Sequence, residues 1–159
     1  MSLKVEKTNA LKAWRKADTK GRALLEDLYG KDVFEKQDVK DRIKTLEDCF
    51  EETGRPITPE FNDVPDDLRE YFKSVYNAVI ITEALNERQT LDLYNREKPR
   101  HYPYFETNGS PAGFAFYDSD CDHDYASAGS GSRLSFISGD LAAYAGKIFK
   151  DQFRDLLTK

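Results

Sequence analysis

Long apolar runs, cysteine, histidine and surplus positive charge are all scarce in this chain. The aliphatic stretch at residues 78–81 falls far short of the roughly 20 residues that a membrane-spanning helix needs, so neither a span nor a membrane partner is expected. Only two cysteines occur, Cys49 and Cys121, and they form no disulfide framework; both are read as thiols. The opening residues Met1-Ser2-Leu3-Lys4-Val5-Glu6-Lys7 lack the apolar core and cleavage site of a secretory signal, which makes a reducing, cytoplasmic location the expectation. With His101 and His123 as the only histidines, no Cys or His pair has the short spacing by which one turn presents two zinc ligands. Against 29 acidic residues stand 24 basic ones, and a net charge of −5 argues against a general nucleic-acid binder.

What is present suits one globular domain spanning residues 1–159. Leu, Ile, Val and Phe number 14, 6, 6 and 10, enough for a packed core, while charged residues make up 33% and imply a very polar surface. Residues 1–90 read as mainly helical. Leu11, Trp14, Ala17, Gly21, Leu24, Leu25 and Leu28 recur at helical spacing over 8–30, with Gly30 as the stop and a weak point around Asp18, Thr19 and Lys20. Val39, Ile43, Leu46 and Phe50 predict a second helix over 38–53, ended by Gly54. Three prolines then make 54–65 a loop, and Pro65 with Asp66 and Asp67 marks the start of a central, heavily buried helix that fades near Asn86.

The character changes after Asn86. Aromatic segments at 101–105 and 113–117, and the alternating Arg133-Leu134-Ser135-Phe136-Ile137, read as three short strands of an antiparallel sheet within 100–137. A long C-terminal helix over 138–158 has Ser138 as its cap and Leu141, Tyr144, Ala145, Ile148, Phe149 and Phe153 on one stripe. Gly146 in mid-helix costs about 1 kcal/mol against Ala, which points to close packing there. The expected fold is therefore α+β: three to five helices on a small three-stranded antiparallel sheet.

Candidate chemistry concentrates near the acidic segment 118–124. Asp118, Asp120, Asp122 and Asp124 alternate, with His123 beside them, and oxygen ligands at every second residue are how a short loop wraps calcium or another divalent cation. Against a calcium-binding EF-hand loop the pattern fails, with His123 where the turn needs glycine and Gly129 where a bidentate glutamate belongs. A solvated hairpin tip accounts for the same residues. Cys121 among carboxylates is poorly placed to be a nucleophile, and residues 126–132 contain neither a serine elbow nor a phosphate-binding loop. Aromatic residues are 13% of the chain, and Tyr102, Tyr104, Tyr117 and Tyr125, with Arg133 as an anion contact, are the candidate binding residues.

Gly131-Ser132-Arg133-Leu134-Ser135-Phe136-Ile137-Ser138, then Asp140-Leu141-Ala142-Ala143-Tyr144-Ala145-Gly146-Lys147 and Phe149, resembles a recurring ending in short uncharacterised proteins from phage and prophage regions of gut bacteria. That ending runs roughly G-S-R-L-x-F-x-S-x-E-L-A-x-Y-A-G-K-x-F, and here Asp140 replaces the Glu. Weaker landmarks are residues 41–48, Ala84-Leu85-Asn86-Glu87 and Tyr102-Pro103-Tyr104-Phe105. The resemblance implies a mobile-element context of small assembly or host-interaction proteins and supplies neither an activity nor a ligand. With no catalytic set and no cofactor indicated, the expected function is a non-catalytic protein-interaction or assembly module, able to form homo-oligomers. The alternative is a metal-binding protein or metal-dependent hydrolase built on the 118–124 segment.

Overall fold

Asp18, with extended backbone, accepts a hydrogen bond from the Gly21 N–H at 2.8 Å, and this cap starts helix α1 (Thr19–Tyr29) at the weak point within the predicted 8–30 helix. Gly30, at φ 86°, ends α1 and leads into a 3-10 turn (Lys31–Val33). A computed structural model of the chain describes residues 9–10, 13–14, 17–34, 38–95, 97–122 and 131–159. Leu11 of the predicted first helix stripe lies outside them. The chain divides into two compact units, Met1–Asp38 and Val39–Lys159. In the first, Trp14 stacks on Phe34 with ring centroids 5.7 Å apart, carries the Arg22 guanidinium over its face and donates its indole N–H to Glu26.

The second unit holds α2 (Val39–Arg42), α3 (Leu46–Thr53), α4 (Asp66–Leu85), strands β1 (Arg100–Glu106) and β2 (Ala115–Asp122), α5 (Gly139–Ile148) and α6 (Lys150–Thr158). No described helix is long and apolar enough to cross a membrane. Six α-helices therefore stand among the described residues where three to five were expected, because two predicted helices are each broken. The 38–53 helix breaks where Thr45 forms a capping box with Asp48, whose carboxylate takes the Lys44 and Thr45 N–H groups. The Tyr144 hydroxyl shares its proton between the carbonyls of Lys40 and Ile43, at 2.7 and 2.6 Å, and so closes the end of α2. The long C-terminal helix breaks at Phe149, which is buried, and beyond the bend Phe153 reaches Phe105 of β1 at 5.7 Å between centroids.

The sheet has two strands, not three. β1 and β2 pair antiparallel, and the 133–137 segment adds only a bridge between His101 and Phe136, with N···O distances of 3.1 and 2.7 Å. The next pair of that ladder would set residue 134 against Pro103, which has no N–H to donate, and the Leu134 N–H is bonded to Gly131 O at 2.8 Å. On the opposite edge of the segment Asn86, buried at the end of α4, donates its side-chain amide to Ser135 O at 2.8 Å and accepts from Ile137 N–H at 3.1 Å.

Pro65 caps α4, Asp66 and Asp67 occupy its first turn, and Asn86 ends it, in agreement with the sequence. Its second half, including Ala78, Ile80, Ile81, Ala84 and Leu85, forms the core with Cys49, Phe136, Ala142, Ala145 and Phe149. The loop before α4 is tied down: Lys73 donates to Glu60 at 2.8 Å, a hydrogen bond that holds the Glu60 carboxyl below the usual range, and Tyr76 donates to Pro56 O. On the sheet side, α5 packs against both strands. A methyl group on Gly146 would enter the Phe116 ring and lie 2.9 Å from Pro103 Cβ, so the glycine permits the close approach its position suggested.

Candidate functional site

Two surfaces of the second unit carry groups able to recognise a ligand. The first is the outward face of the hairpin. Tyr104 pairs with Asp118, and Tyr102 with Asp120, so these side chains share the face turned away from α5, while Pro103 abuts α5 on the other. Between Tyr104 and Phe105 the register slips, because Asp118 faces Tyr104 while Phe116 faces Phe105. Tyr117 is the extra residue of this bulge, and it joins Asp118 on the outward side. The bulge brings Tyr117 edge-on to Tyr104 with centroids 6.0 Å apart, the rings 64% and 48% exposed. Tyr102 is half-buried. Asp118 and Asp120, both exposed, each accept from the next backbone N–H, Ser119 at 2.8 Å and Cys121 at 2.7 Å.

The acidic segment is thus extended strand through residue 122, not a hairpin tip. His123, Asp124 and Tyr125, and the side chain of Asp122, lie outside the described residues. Among the described residues no group of three or more His, Cys, Asp and Glu side chains could hold a metal ion. Cys121 stands opposite His101 across the ladder. Cys49 is buried in the core, and its thiol is pushed up to about 12 by burial and then by Asp48, Glu47 and Glu52.

Arg133 is not with the tyrosines. It lines a cleft of about 280 Å³ assembled from four stretches of chain: Arg55 after α3, Thr82 and Glu83 on α4, Arg88 in the turn beyond, and Ser132 with Arg133. Arg55 grips Glu83 through Nε and Nη2 at 3.0 to 3.3 Å. Arg88 donates through Nη2 to the carbonyls of Glu52 and Thr53, at the C-terminal end of α3. The turn that aims Arg88 is strained: Glu87 and Arg88 adopt φ of 50° and 63°, left-handed values normally left to glycine. Holding it are the Arg88 N–H bond to Glu83 O at 2.9 Å and the ion pair of Glu87 with Arg42 at 2.8 Å.

Of the residues that line this cleft, the sequence singled out Arg133 and not Arg55, Glu83 or Arg88. One signal was available. α1 and α3 end on Gly30 and Gly54, whereas after Leu85 the chain reads Asn-Glu-Arg, which forces non-glycine residues into the left-handed turn. Comparison of the chain with protein-family models, curated proteins and solved structures finds no match in any of the three.

Proposed function

We propose that this protein is a non-catalytic protein-interaction or assembly module whose contact surface is the outward hairpin face. The observation that carries this reading is the exposed Tyr104–Tyr117 pair set by a bulge beside the exposed carboxylates of Asp118 and Asp120. Bulges are placed features that re-aim side chains, and here one presents two aromatic rings and two negative charges together. Tyrosine faces attract guanidinium and ammonium groups, and the carboxylates add charge-assisted hydrogen bonds, so the partner surface is a protein segment bearing Arg or Lys. The resemblance of the C-terminal segment to small phage and prophage proteins is in keeping with an assembly or host-interaction role.

The test is a two-dimensional NMR titration of the full chain with an arginine-rich and a glutamate-rich peptide. The expected result is saturable shifts at Tyr104, Tyr117, Asp118 and Asp120 with the arginine-rich peptide only. These shifts are lost in Tyr104→Ala/Tyr117→Ala and weakened in Asp118→Asn/Asp120→Asn. An absence of shifts on this face, or binding unchanged in both double variants, overturns the reading. Binding that requires a divalent cation and vanishes with EDTA favours the metal-binding alternative instead.

A further inference from the structure

We infer that the arginine-lined cleft is a binding site for a small organic phosphomonoester, independent of the hairpin face. Arg55, Arg88 and Arg133 supply three positive charges, and Glu83 supplies one negative charge that Arg55 already engages. The remaining positive charge matches a phosphate dianion, which carries close to two negative charges at neutral pH. Its donors are not exhausted within the protein. Among the described residues Arg133 is exposed and makes no hydrogen bond or ion pair, Arg88 uses only Nη2 of its five N–H groups, and Arg55 leaves Nη1 unused. Ser132, Thr90 and Gln89 add neutral donors on the same walls. The carbonyls at the end of α4 do not compete for these cations, because Thr82, Glu83 and Ala84 O accept from the Asn86, Arg88 and Glu87 N–H groups.

The strained turn gives a second line of argument. Two consecutive non-glycine residues are held in the left-handed region, and strain of this kind concentrates at binding sites. Here it directs Arg88 across the end of α3 and into the cleft wall. The organic part of the ligand is indicated by a second hollow of about 280 Å³ that shares Val79, Ser132 and Arg133 with the first and is also lined by Leu93 and Leu134. Phosphate among the arginines and a compact apolar group against Val79, Leu93 and Leu134 fill both hollows. Small-molecule sites combine apolar walls with a few convergent polar groups in this way.

Isothermal titration calorimetry of the full chain with phenyl phosphate, inorganic phosphate and benzoate tests the inference. Phenyl phosphate is expected to bind saturably and about tenfold or more tighter than either of the others, because only it engages both hollows with a dianion. Arg133→Gln is expected to weaken phenyl phosphate about tenfold or more without moving the thermal midpoint, since Arg133 has no intramolecular partner to lose. Leu93→Ala is expected to weaken phenyl phosphate while leaving inorganic phosphate unchanged. No saturable binding of phenyl phosphate, equal binding of benzoate, or full affinity in Arg133→Gln overturns the phosphate site. Equal affinity for phenyl and inorganic phosphate overturns the organic half.

Discussion

Cys49 lies at the centre of the second unit, and its surroundings decide what its thiol can do. Burial comes first and the neighbouring carboxylates of Asp48, Glu47 and Glu52 second; together they raise its pKa to about 12, so the thiolate that nucleophilic or redox chemistry needs is withheld. In the unfolded chain the same thiol titrates near its ordinary value of about 8.5. The native state therefore holds a proton that the unfolded state releases. The resulting contribution to stability is fully present below pH of about 8.5 and is lost progressively as pH rises from there toward 12. Urea midpoints measured from neutral pH into this alkaline window should fall more steeply for the wild type than for Cys49→Ala, which has no thiol to titrate. In the native protein at neutral pH, a thiol reagent should label the half-exposed Cys121 and reach Cys49 only after urea is added. Prompt labelling of both, or identical slopes for the two proteins, contradicts this account.

At the scale of elements, α5 rides close on the hairpin because position 146 has no side chain. Gly146→Ala gains about 1 kcal/mol of helix propensity. It also drives a methyl group into the Phe116 ring and against Pro103 Cβ, and overpacking of this kind costs typically 1–3 kcal/mol. Neither neighbour yields easily, since Phe116 lies within β2 and Pro103 is rigid. Denaturant unfolding should therefore show net destabilisation of about 1–2 kcal/mol, and a gain in stability would refute the close packing. This packing was legible in the sequence because an unexplained glycine in a helix interior is a local signal. Helix ends were legible for the same reason: Gly30, Gly54, Pro65 with its two aspartates, and Ser138 all act within a turn. The breaks at 43–45 and Phe149 were not, because apolar spacing continues across them. The lost third strand was not either. Leu134 and Phe136 alternate as a strand should, yet the next ladder position falls on Pro103 of β1, which has no N–H, and the Leu134 N–H turns back to Gly131 O.

Across the whole molecule, the groups that make the two proposed binding surfaces come from distant parts of the chain, and this limits what a linear reading shows. Tyr104 and Tyr117 stand out as aromatics, but the bulge that joins them exists only relative to the opposite strand. The arginine cleft draws on residues from 55 to 133, so no window of sequence contains it. The division into two units is equally nonlocal, and the one tryptophan allows it to be tested. Trp14 belongs to the first unit, where it contacts Phe34, Arg22 and Glu26. Most helix, and both strands, belong to the second. Among the described residues only Ala10 and Phe34 are buried in the first unit, and chains below about 40 residues seldom hold a stable core without a disulfide or metal. The core cluster of the second unit, in contrast, runs from Val39 to Phe153 through helices and sheet. Tryptophan fluorescence and far-ultraviolet circular dichroism should therefore report different transitions in urea, the fluorescence change falling at the lower concentration. Arg22→Gln, which removes the cation from the Trp14 face, should shift the fluorescence transition further down and leave the dichroism midpoint in place. Coincident transitions that move together in this variant would show that the two units unfold as one.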